Sequence, residues 1–284
     1  MQKRQLAGVL ALVVFLLAFW AGAGRLKDHT EANNMTIVML SVGKADALIV
    51  QQAEQTILID AGEQEDGEKV VKELRRRGVD GIDLFLVTHF DKDHVGGAAY
   101  VMEHMEVSAV MMPDYEGDRQ EYRFFLESLQ GHPNVRRPTE LVEMTMGELH
   151  LEICPPDDPE ALRHPEKEYD NDLSLVVSIQ YKDKKFLLTG DIEKDRMEQM
   201  LASGRDWKHD VIKMPHHGKY QNVLPEFLEA VSPQAAVICC SEKNPAEEKT
   251  LKLLEDQGIS VWDTSKQNVI IECDGETIKV RHET

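Results

Sequence analysis

The stretch HFDKDHVGG, residues 89–97, decides the fold of this 284-residue chain. It overlaps the end of the apolar run DLFLVTH, residues 83–89, which has the pattern of a strand buried on both faces. Two imidazoles and two carboxylates lie within six residues, at the turn from a strand into a helix, where they can converge above a sheet edge. Mixed histidine and aspartate ligands suit Zn²⁺, Mn²⁺ or iron. The stretch therefore predicts a metal site at the end of a buried strand, with a solvated charged turn as the alternative.

Two further strand ends carry side chains that bind metals. TGD, residues 189–191, closes the run KKFLLTGD, and HHG, residues 216–218, follows the run DVIKMP. A dinuclear hydrolase needs several protein ligands for each metal ion and a carboxylate that bridges the two ions. It also needs a bridging water whose pKa falls towards neutral. Three strand ends with aspartate and histidine are suited to that arrangement.

Short apolar runs alternate with amphipathic helices from residue 35 onward. TIVML, residues 36–40, predicts a strand, and GEKVVKELRRR, residues 67–77, predicts a helix. No linker rich in glycine, serine or proline divides the rest of the chain. Residues 35–284 are therefore predicted to form one α/β domain, with two sheets' worth of strands and helices outside them.

An uncharged apolar stretch, residues 6–24, follows two basic residues at the N-terminus. Its length suits a span of the hydrocarbon core of a bilayer. We expect residues 1–28 to be a signal anchor, which would give a single-pass protein of the cell membrane with its catalytic domain outside the cytoplasm. The alternative is a cleavable signal peptide, because a small-x-small pattern ends at Ala23. Cleavage near Ala23 would give a secreted protein.

The composition excludes several classes of protein. The chain has 32 basic and 51 acidic residues, a net charge of −19 and 42% hydrophobic residues, which fits neither a disordered chain nor a multi-span membrane protein. Residues 1–27 hold four basic residues and no acidic one, so the chain from Asp28 onward carries a charge of −23. That acidity argues against broad, charge-driven binding to nucleic acid. The four cysteines have neither disulfide-framework nor zinc-motif spacing, so buried thiols are expected.

The order of the motifs resembles a known family. HxDxDHxGG, TGD and HHG, preceded by ILIDAG at residues 57–62, resemble the metallo-β-lactamase superfamily. The sequence looks more closely like the hydrolase branch found as the C-terminal domain of ComEC competence proteins and in stand-alone relatives. The resemblance runs from about residue 36 to the last helix. It implies a four-layered αββα sandwich and a cofactor of two divalent metal ions, Zn or Mn.

The resemblance also implies roles for individual residues. His89 and Asp91 would hold one metal ion, and Asp93 and His94 the other. Asp191 would bridge the two ions, and Asp93 and Asp191 would be the catalytic carboxylates. The second site would be completed by His216 or His217, so the metal set comprises His89, Asp91, Asp93, His94, Asp191, His216 and His217.

Four further residues are candidates for supporting or substrate-binding roles. Asp60, in ILIDAG, is expected beneath the site, where it would orient a metal ligand. Asp46 ends SVGKAD, residues 41–46, which stands where the branch has a DVGQGD-like turn. The third histidine of the first metal site has no clean equivalent, and His164 and Asn171 remain alternatives. Lys219 stands where the branch has serine after HHG, and its charge suits a phosphate.

The resemblance makes a metal-dependent hydrolase the expected function. A phosphodiesterase or nuclease that uses a metal-bridging hydroxide fits best, and a link to extracellular DNA processing or competence is implied. The partners would then be a phosphodiester substrate, with DNA among the options, and the membrane. Two alternatives stay open: a hydrolase of a small ester, lactam or envelope phosphoester, and a non-catalytic binding module of the same fold.

Overall fold

The computed structural model describes residues 34–162 and 170–283. The expected signal anchor over residues 1–28, the cleavage site near Ala23 and His164 lie outside the described residues, so these predictions stay untested. Within the described part of the chain, no helix combines the length and the hydropathy that crossing a bilayer requires.

Two large sheets and a short strand pair account for the strands of residues 34–162 and 170–283. The strands are β1 Met35–Met39, β2 Leu48–Gln52, β3 Gln55–Ile59, β4 Gly81–Ile82, β5 Leu84–Leu86, β6 Glu106–Val107, β7 Val110–Met111, β8 Val135–Arg136, β9 Val142–Met146, β10 Leu149–Cys154, β11 Val176–Tyr181, β12 Lys184–Leu188, β13 Val211–Lys213, β14 Ala235–Ile238, β15 Ser260–Asp263, β16 Val269–Cys273 and β17 Ile278–His282. The first sheet has the order β17-β16-β1-β2-β3-β5-β7-β8, the second the order β15-β14-β13-β12-β11-β10-β9, and β4 pairs with β6.

Helices connect the parallel strands. In the first sheet β3, β5, β7 and β8 run parallel, and in the second β12, β13, β14 and β15 do so. Short 3₁₀ turns lie at Gln64–Asp66, Asn171–Leu173 and Pro215–Gly218. The α-helices are α1 Gly67–Arg76, α2 Lys92–Val95, α3 Ala98–His104, α4 Gln120–Ser128, α5 Pro159–Leu162, α6 Lys194–Ala202, α7 Leu224–Val231 and α8 Glu248–Asp256.

Three apolar clusters define four layers. The middle cluster lies between the sheets and contains Ile37 from β1 and Ile179 from β11. Val38, which points the opposite way from Ile37, belongs to a second cluster that packs the first sheet against α1, α3 and α4. A third cluster packs the second sheet against α6, α7 and α8, and includes Phe227. The layers therefore run helix, sheet, sheet, helix. All four cysteines are buried and unpaired.

Gly97 lets α3 begin directly against the loop that follows β3. A Cβ atom at Gly97 would lie 2.3 Å from the carbonyl oxygen of Ala61 and 2.9 Å from the Cα of Gly67, and both are backbone atoms. We therefore expect Gly97→Ala to lower the free energy of unfolding by about 1–3 kcal/mol, which is a fall of several degrees in the unfolding midpoint.

Thermal unfolding monitored by circular dichroism checks this expectation. Gly81→Ala is the matched control, because a Cβ there would meet its nearest neighbour, the carbonyl oxygen of Glu106, at an ordinary 3.5 Å. Equal midpoints for Gly97→Ala and Gly81→Ala would contradict the steric argument.

Candidate metal centre

The candidate centre lies where strands of both sheets end. Asp60 follows β3, and the loop that carries His89 follows β5. Asp191 follows β12, and His217 follows β13. Because β3 and β5 are parallel neighbours, as are β12 and β13, their carboxyl ends deliver these side chains to shared sheet edges.

The segment after β5 leaves the sheet earlier than its apolar run predicts. The sequence predicts a strand over residues 83–89, and the structure has one only at Leu84–Leu86. The backbone N–H of Thr88 donates to Asp60 Oδ1 at 2.7 Å, and that of Phe90 donates to the Tyr115 hydroxyl at 2.9 Å. Side chains therefore replace the ladder partners of the Thr88 and Phe90 N–H groups, and the chain turns so that it presents His89, Asp91 and Asp93.

Imidazole and carboxylate atoms converge at the middle of the site. His94 Nε2 lies 3.3 Å from Asp191 Oδ2, and His217 Nε2 lies 3.0 Å from the same oxygen. Asp93 Oδ2 lies 3.3 Å from His217 Nε2. Ligand atoms at about 2.0–2.2 Å from one tetrahedral ion lie roughly 3.3–3.6 Å apart, so these spacings are close to those of a shared ion.

Buried histidine nitrogen atoms without hydrogen-bond partners indicate whether these residues fit a metal ion. His89, His94 and His217 are all buried, and the Nε2 atom of each makes no well-directed hydrogen bond within the described residues. Buried polar atoms without a partner are rare and need an explanation. Nitrogen atoms that serve as ligands of divalent metal ions would have that explanation, so the donor set fits divalent metal.

His89 and Asp91 form the outer part of the site. His89 Nε2 lies 3.9 Å from Asp91 Oδ2, and the His89 and His94 rings are 4.0 Å apart at their centroids. Arg119 lies 3.8 Å from the other oxygen of Asp91. This pair is next to, but separate from, the convergence around Asp191.

Asp60 supports His94 from behind. Its Oδ2 lies 2.8 Å from His94 Nδ1 and also accepts a hydrogen bond from the Thr88 hydroxyl at 2.7 Å. These contacts hold the His94 ring with Nδ1 towards Asp60 and Nε2 towards Asp191. Asp60 itself has a positive φ of 57°, a conformation that aspartate and asparagine adopt more readily than most residues.

Asp46 also lies close to the histidines. One ligand atom from each of Asp46, His94, Asp191 and His217 falls within 4.8 Å of the others, so these four residues form the candidate metal cluster. Asp46, however, approaches the Nδ1 atoms, at 3.9 Å from His94 and 3.6 Å from His217. It therefore faces the sides of the rings that Asp60 and the carbonyl oxygen of Cys239 also face.

The adjacent histidines of HHG point to different partners. His217 Nδ1 lies 2.9 Å from the carbonyl oxygen of Cys239, which leaves its Nε2 at the centre. His216 has Nδ1 at 2.8 Å from Glu193 Oε1 and at 3.5 Å from Asn171 Nδ2. Both histidines have left-handed backbone angles, and this tight turn is what separates their rings. Lys219 also contacts Glu193, at 2.7 Å.

Charges within the site shift its pKa values in opposite directions. Burial lowers the pKa of His94 and of His217, but nearby carboxylates outweigh that effect. The pKa of His94 is raised well above its usual value by Asp191, Asp60 and Asp46. The pKa of His217 is raised to about 9, mainly by Asp191. Burial, with His94 adding to it, lowers the pKa of His89. Burial opposes ionisation of Asp191, but His217 and Lys213 hold its pKa well below the usual value.

Lys213, at the end of β13, is a site residue that the motifs do not indicate. Its Nζ lies 2.5 Å from Asp46 Oδ2, 2.8 Å from the Gly190 carbonyl oxygen and 3.0 Å from Asp191 Oδ1. A lysine in the apolar run DVIKMP is the one signal that could have found it, because the alternation of the strand places Lys213 on the same face as buried Val211.

Replacing Asp60 with asparagine should weaken metal binding. Asparagine tolerates the same backbone conformation, but its Nδ2 cannot accept the hydrogen bonds that Oδ2 receives from Thr88 and His94. Loss of a group that orients a metal ligand typically costs 10–100-fold in affinity, and we expect Asp60→Asn to fall in that range. Equilibrium dialysis against Zn²⁺ measures it, and an unchanged dissociation constant would remove Asp60 from this role.

Asp172 is expected to make the stability of the fold depend on pH. Its Oδ1 accepts hydrogen bonds from the backbone N–H groups of Glu193 at 2.7 Å and Arg196 at 3.2 Å, where α6 starts. Burial raises its pKa from 3.8 to about 6. Because the pKa of the folded state is the higher one, the stabilisation from protonation is fully present below about pH 3.8 and is lost as the pH rises through about 6.

Asp172→Asn should remove that dependence. We expect the stability difference between the original chain and the variant to change by on the order of 3 kcal/mol between pH 4 and pH 8, with the original chain relatively less stable at pH 8. Urea unfolding at both pH values measures the difference. The exposed Asp256→Asn serves as the control and should show no such change, and a pH-independent difference for Asp172→Asn would contradict the prediction.

Comparisons with known proteins confirm the resemblance. Residues 40–163 match the family profile described as the metallo-beta-lactamase superfamily. ComE operon protein 3 of Bacillus subtilis is 24% identical, over 93% of this chain and 35% of that protein. Competence protein ComA of Neisseria gonorrhoeae is 25% identical, over 80% of this chain and 30% of that protein. The chain thus spans about a third of the length of these curated relatives.

A solved structure confirms the fold class. The metallo-beta-lactamase fold protein YhfI from Bacillus subtilis superimposes with a TM-score of 0.54 at 12% sequence identity, and the match covers 84% of this chain and 99% of that one. A structural match at so low a sequence identity shows that the fold is shared and says nothing about the activity of this chain. The α/β fold predicted from the sequence is therefore confirmed as a metallo-β-lactamase fold.

Proposed function

We propose that this chain, which has the motifs and the fold of the metallo-β-lactamase superfamily, is a metal-dependent phosphodiesterase or nuclease. The observation that carries the proposal is the buried convergence of the Nε2 atoms of His94 and His217 on Asp191 Oδ2. These atoms have the spacing of metal ligands and are without well-directed hydrogen bonds, which supports a bound ion at this position.

The residues divide between two metal positions. Asp93, His94 and His217 would hold one divalent ion, His89 and Asp91 would hold the other, and Asp191 would be shared. When bound, two divalent ions supply Lewis acidity to a phosphoryl oxygen and lower the pKa of the attacking water. The candidates with oxygen and nitrogen ligands of this kind are Zn²⁺ and Mn²⁺.

Cationic side chains beside the centre suit an anionic substrate. Lys219 is 44% exposed and contacts Glu193, and Arg119 is 43% exposed and lies near Asp91. Both side chains are accessible from solvent, and charged groups of this type recognise phosphate oxygens. Their placement supports a phosphoester over an uncharged ester or lactam.

The overall charge limits the size of the substrate. The chain from residue 28 onward carries −23, and affinity for long DNA depends on cations that neutralise phosphates. The name of one relative, competence protein ComA, refers to competence and so supports DNA as a substrate for this chain. The acidity supports a short single strand or a small phosphodiester over a long duplex.

Turnover assays on the purified full chain test the proposal. We expect the chain reloaded with Zn²⁺ or Mn²⁺ to hydrolyse bis(p-nitrophenyl) phosphate and single-stranded DNA, and the chelated chain to lose this activity. Turnover of nitrocefin or an ester without any turnover of phosphodiesters would contradict the phosphodiesterase proposal. Metal binding without any turnover would favour a binding module of the same fold.

We also propose a membrane location, from the sequence of residues 6–24 alone. A single-pass protein with its catalytic domain outside the cytoplasm fits this apolar stretch. Protease added to intact cells should then remove the domain, and complete protection would overturn this placement. Mass analysis of the mature N-terminus distinguishes an anchor from cleavage near Ala23.

A further inference from the structure

Lys213 is a buried cation with every donor satisfied. Its side chain is 1% exposed, and its ammonium group has three acceptors: Asp46 Oδ2 at 2.5 Å, the Gly190 carbonyl oxygen at 2.8 Å and Asp191 Oδ1 at 3.0 Å. An ammonium group has three N–H bonds, so each has one partner. The contacts therefore fix the position of the ammonium group relative to the TGD turn.

Apolar packing does not account for this lysine. Lys213 lies on β13 between Leu188 of β12 and Val237 of β14, and both neighbours belong to the apolar cluster between the sheets. Burial of an ammonium group costs several kcal/mol before its partners compensate, and apolar residues of similar volume often replace buried ion pairs without loss of stability. A methionine at this position could supply the packing of the Lys213 stem, but it could not supply the contacts of the ammonium group.

The two oxygens of Asp191 have different partners as a result. Oδ1 faces Lys213, while Oδ2 lies 3.3 Å from His94 Nε2 and 3.0 Å from His217 Nε2. The contact at Oδ1 restrains rotation of the carboxylate, and in the observed orientation the other oxygen faces the histidine nitrogens. Lys213 and Asp46 together are electrically neutral, so this arrangement adds orientation without net charge.

We propose that Lys213 is a positioning residue of the metal centre, which holds Asp191 by Oδ1 so that Oδ2 alone is available to the metal. The proposal deepens the proposed function and rests on its metal site, but it does not depend on which substrate is cleaved. It predicts that loss of the Lys213 contact weakens metal binding even when the net charge of the site is unchanged.

A charge-neutral double variant tests the proposal. Lys213→Met/Asp46→Asn removes one cation and one anion, and a group that orients a metal ligand is typically worth 10–100-fold in affinity. We expect the metal-stripped full chain carrying this double variant to bind Mn²⁺ 10–100-fold more weakly in isothermal titration calorimetry. The matched control is Lys184→Met/Asp210→Asn, a 3.6 Å ion pair that involves β12 at its start, where affinity should stay within twofold. Equal affinities for the two double variants would overturn the proposal.

Two single variants distinguish the effect of losing Lys213 from the effect of losing Asp46 and from a loss of folding. Asp46→Asn keeps Lys213 beside Asp191 and should bind Mn²⁺ more tightly than the double variant. If Asp46→Asn binds Mn²⁺ as weakly as the double variant does, the loss of Asp46 alone explains the weaker binding and the proposal fails. Lys213→Arg keeps the charge, but its planar guanidinium cannot place three donors at the same acceptors. In a variant whose circular dichroism matches that of the original chain, the visible absorption of the Co²⁺-loaded chain should therefore change. An unchanged spectrum would also overturn the proposal.

The calorimetric result is independent of turnover. A chain that binds Mn²⁺ and cleaves no phosphodiester would refute the proposed function and leave the Lys213 comparison valid. A chain that hydrolyses phosphodiesters and binds metal equally well in all four variants would refute only the positioning role.

Discussion

Replacing Asp191 with alanine should remove phosphodiester turnover almost completely. Asp191 Oδ2 is the atom on which His94 and His217 converge, and in our proposal it is shared by both metal positions. Its loss would therefore disturb both ions at once. We expect turnover of bis(p-nitrophenyl) phosphate to fall by about 10³-fold or more, which corresponds to about 4 kcal/mol of lost transition-state stabilisation. Metal content measured by atomic emission should fall in parallel.

The control for this variant comes from the same segment. Asp195 lies in α6, four residues further on, and contacts Lys194 at 4.0 Å. Asp195→Ala should keep its metal and its turnover, so a general effect of removing negative charge can be separated from loss of a ligand. Full turnover and metal content in Asp191→Ala would refute the shared-carboxylate arrangement and, with it, the assignment of the centre.

The neighbouring histidines of HHG should differ sharply in their effect. His217 is buried and has Nε2 at 3.0 Å from Asp191 and 3.3 Å from Asp93, whereas His216 contacts Glu193. We expect His217→Ala to lose about 10³-fold in turnover, because it removes a metal ligand. We expect His216→Ala to lose less than about tenfold, because only a contact at the edge of the site disappears.

The two histidine variants control for each other. They remove the same side chain from adjacent positions, and both positions have left-handed backbone angles that alanine also finds unfavourable. Strain in the turn therefore affects both variants alike. Similar losses in His216→Ala and His217→Ala would mean that the turn, and not the ligand, controls activity. A larger loss in His216→Ala would reverse the assignment.

The sequence predicts the architecture because periodicity and strand ends are local signals. The apolar runs of β1 and β11 match strands that are buried on both faces, and the glycine pair after His94 matches a close approach of backbone at Gly97. The resemblance adds the order of the motifs, which fixes which strand ends meet. These signals need no knowledge of side-chain direction.

Side-chain direction is what the sequence does not provide. Whether His216 or His217 reaches the centre depends on two left-handed residues in a row, and no propensity predicts that pair of angles. The role of Lys213 is not predicted from the sequence for a related reason. A lysine at the end of a strand is expected to be solvated, and only the structure shows the three acceptors around its ammonium group. The early end of β5 depends on Asp60, which lies 28 residues upstream of Thr88.

The assembly of the centre from both sheets has a consequence for how the protein matures. Asp93 and His94 follow a strand of the first sheet, while Asp191 and His217 follow strands of the second. The contacts that complete the donor set, His94–Asp191 and Asp93–His217, therefore join residues 97 and 124 positions apart. Contacts of such long sequence separation form slowly and late during folding. A half-folded chain with only one sheet in place would have only part of the donor set and no tight site. In our proposal, metal uptake would therefore report that the two halves have docked, and a chain stalled before docking would be without its ions.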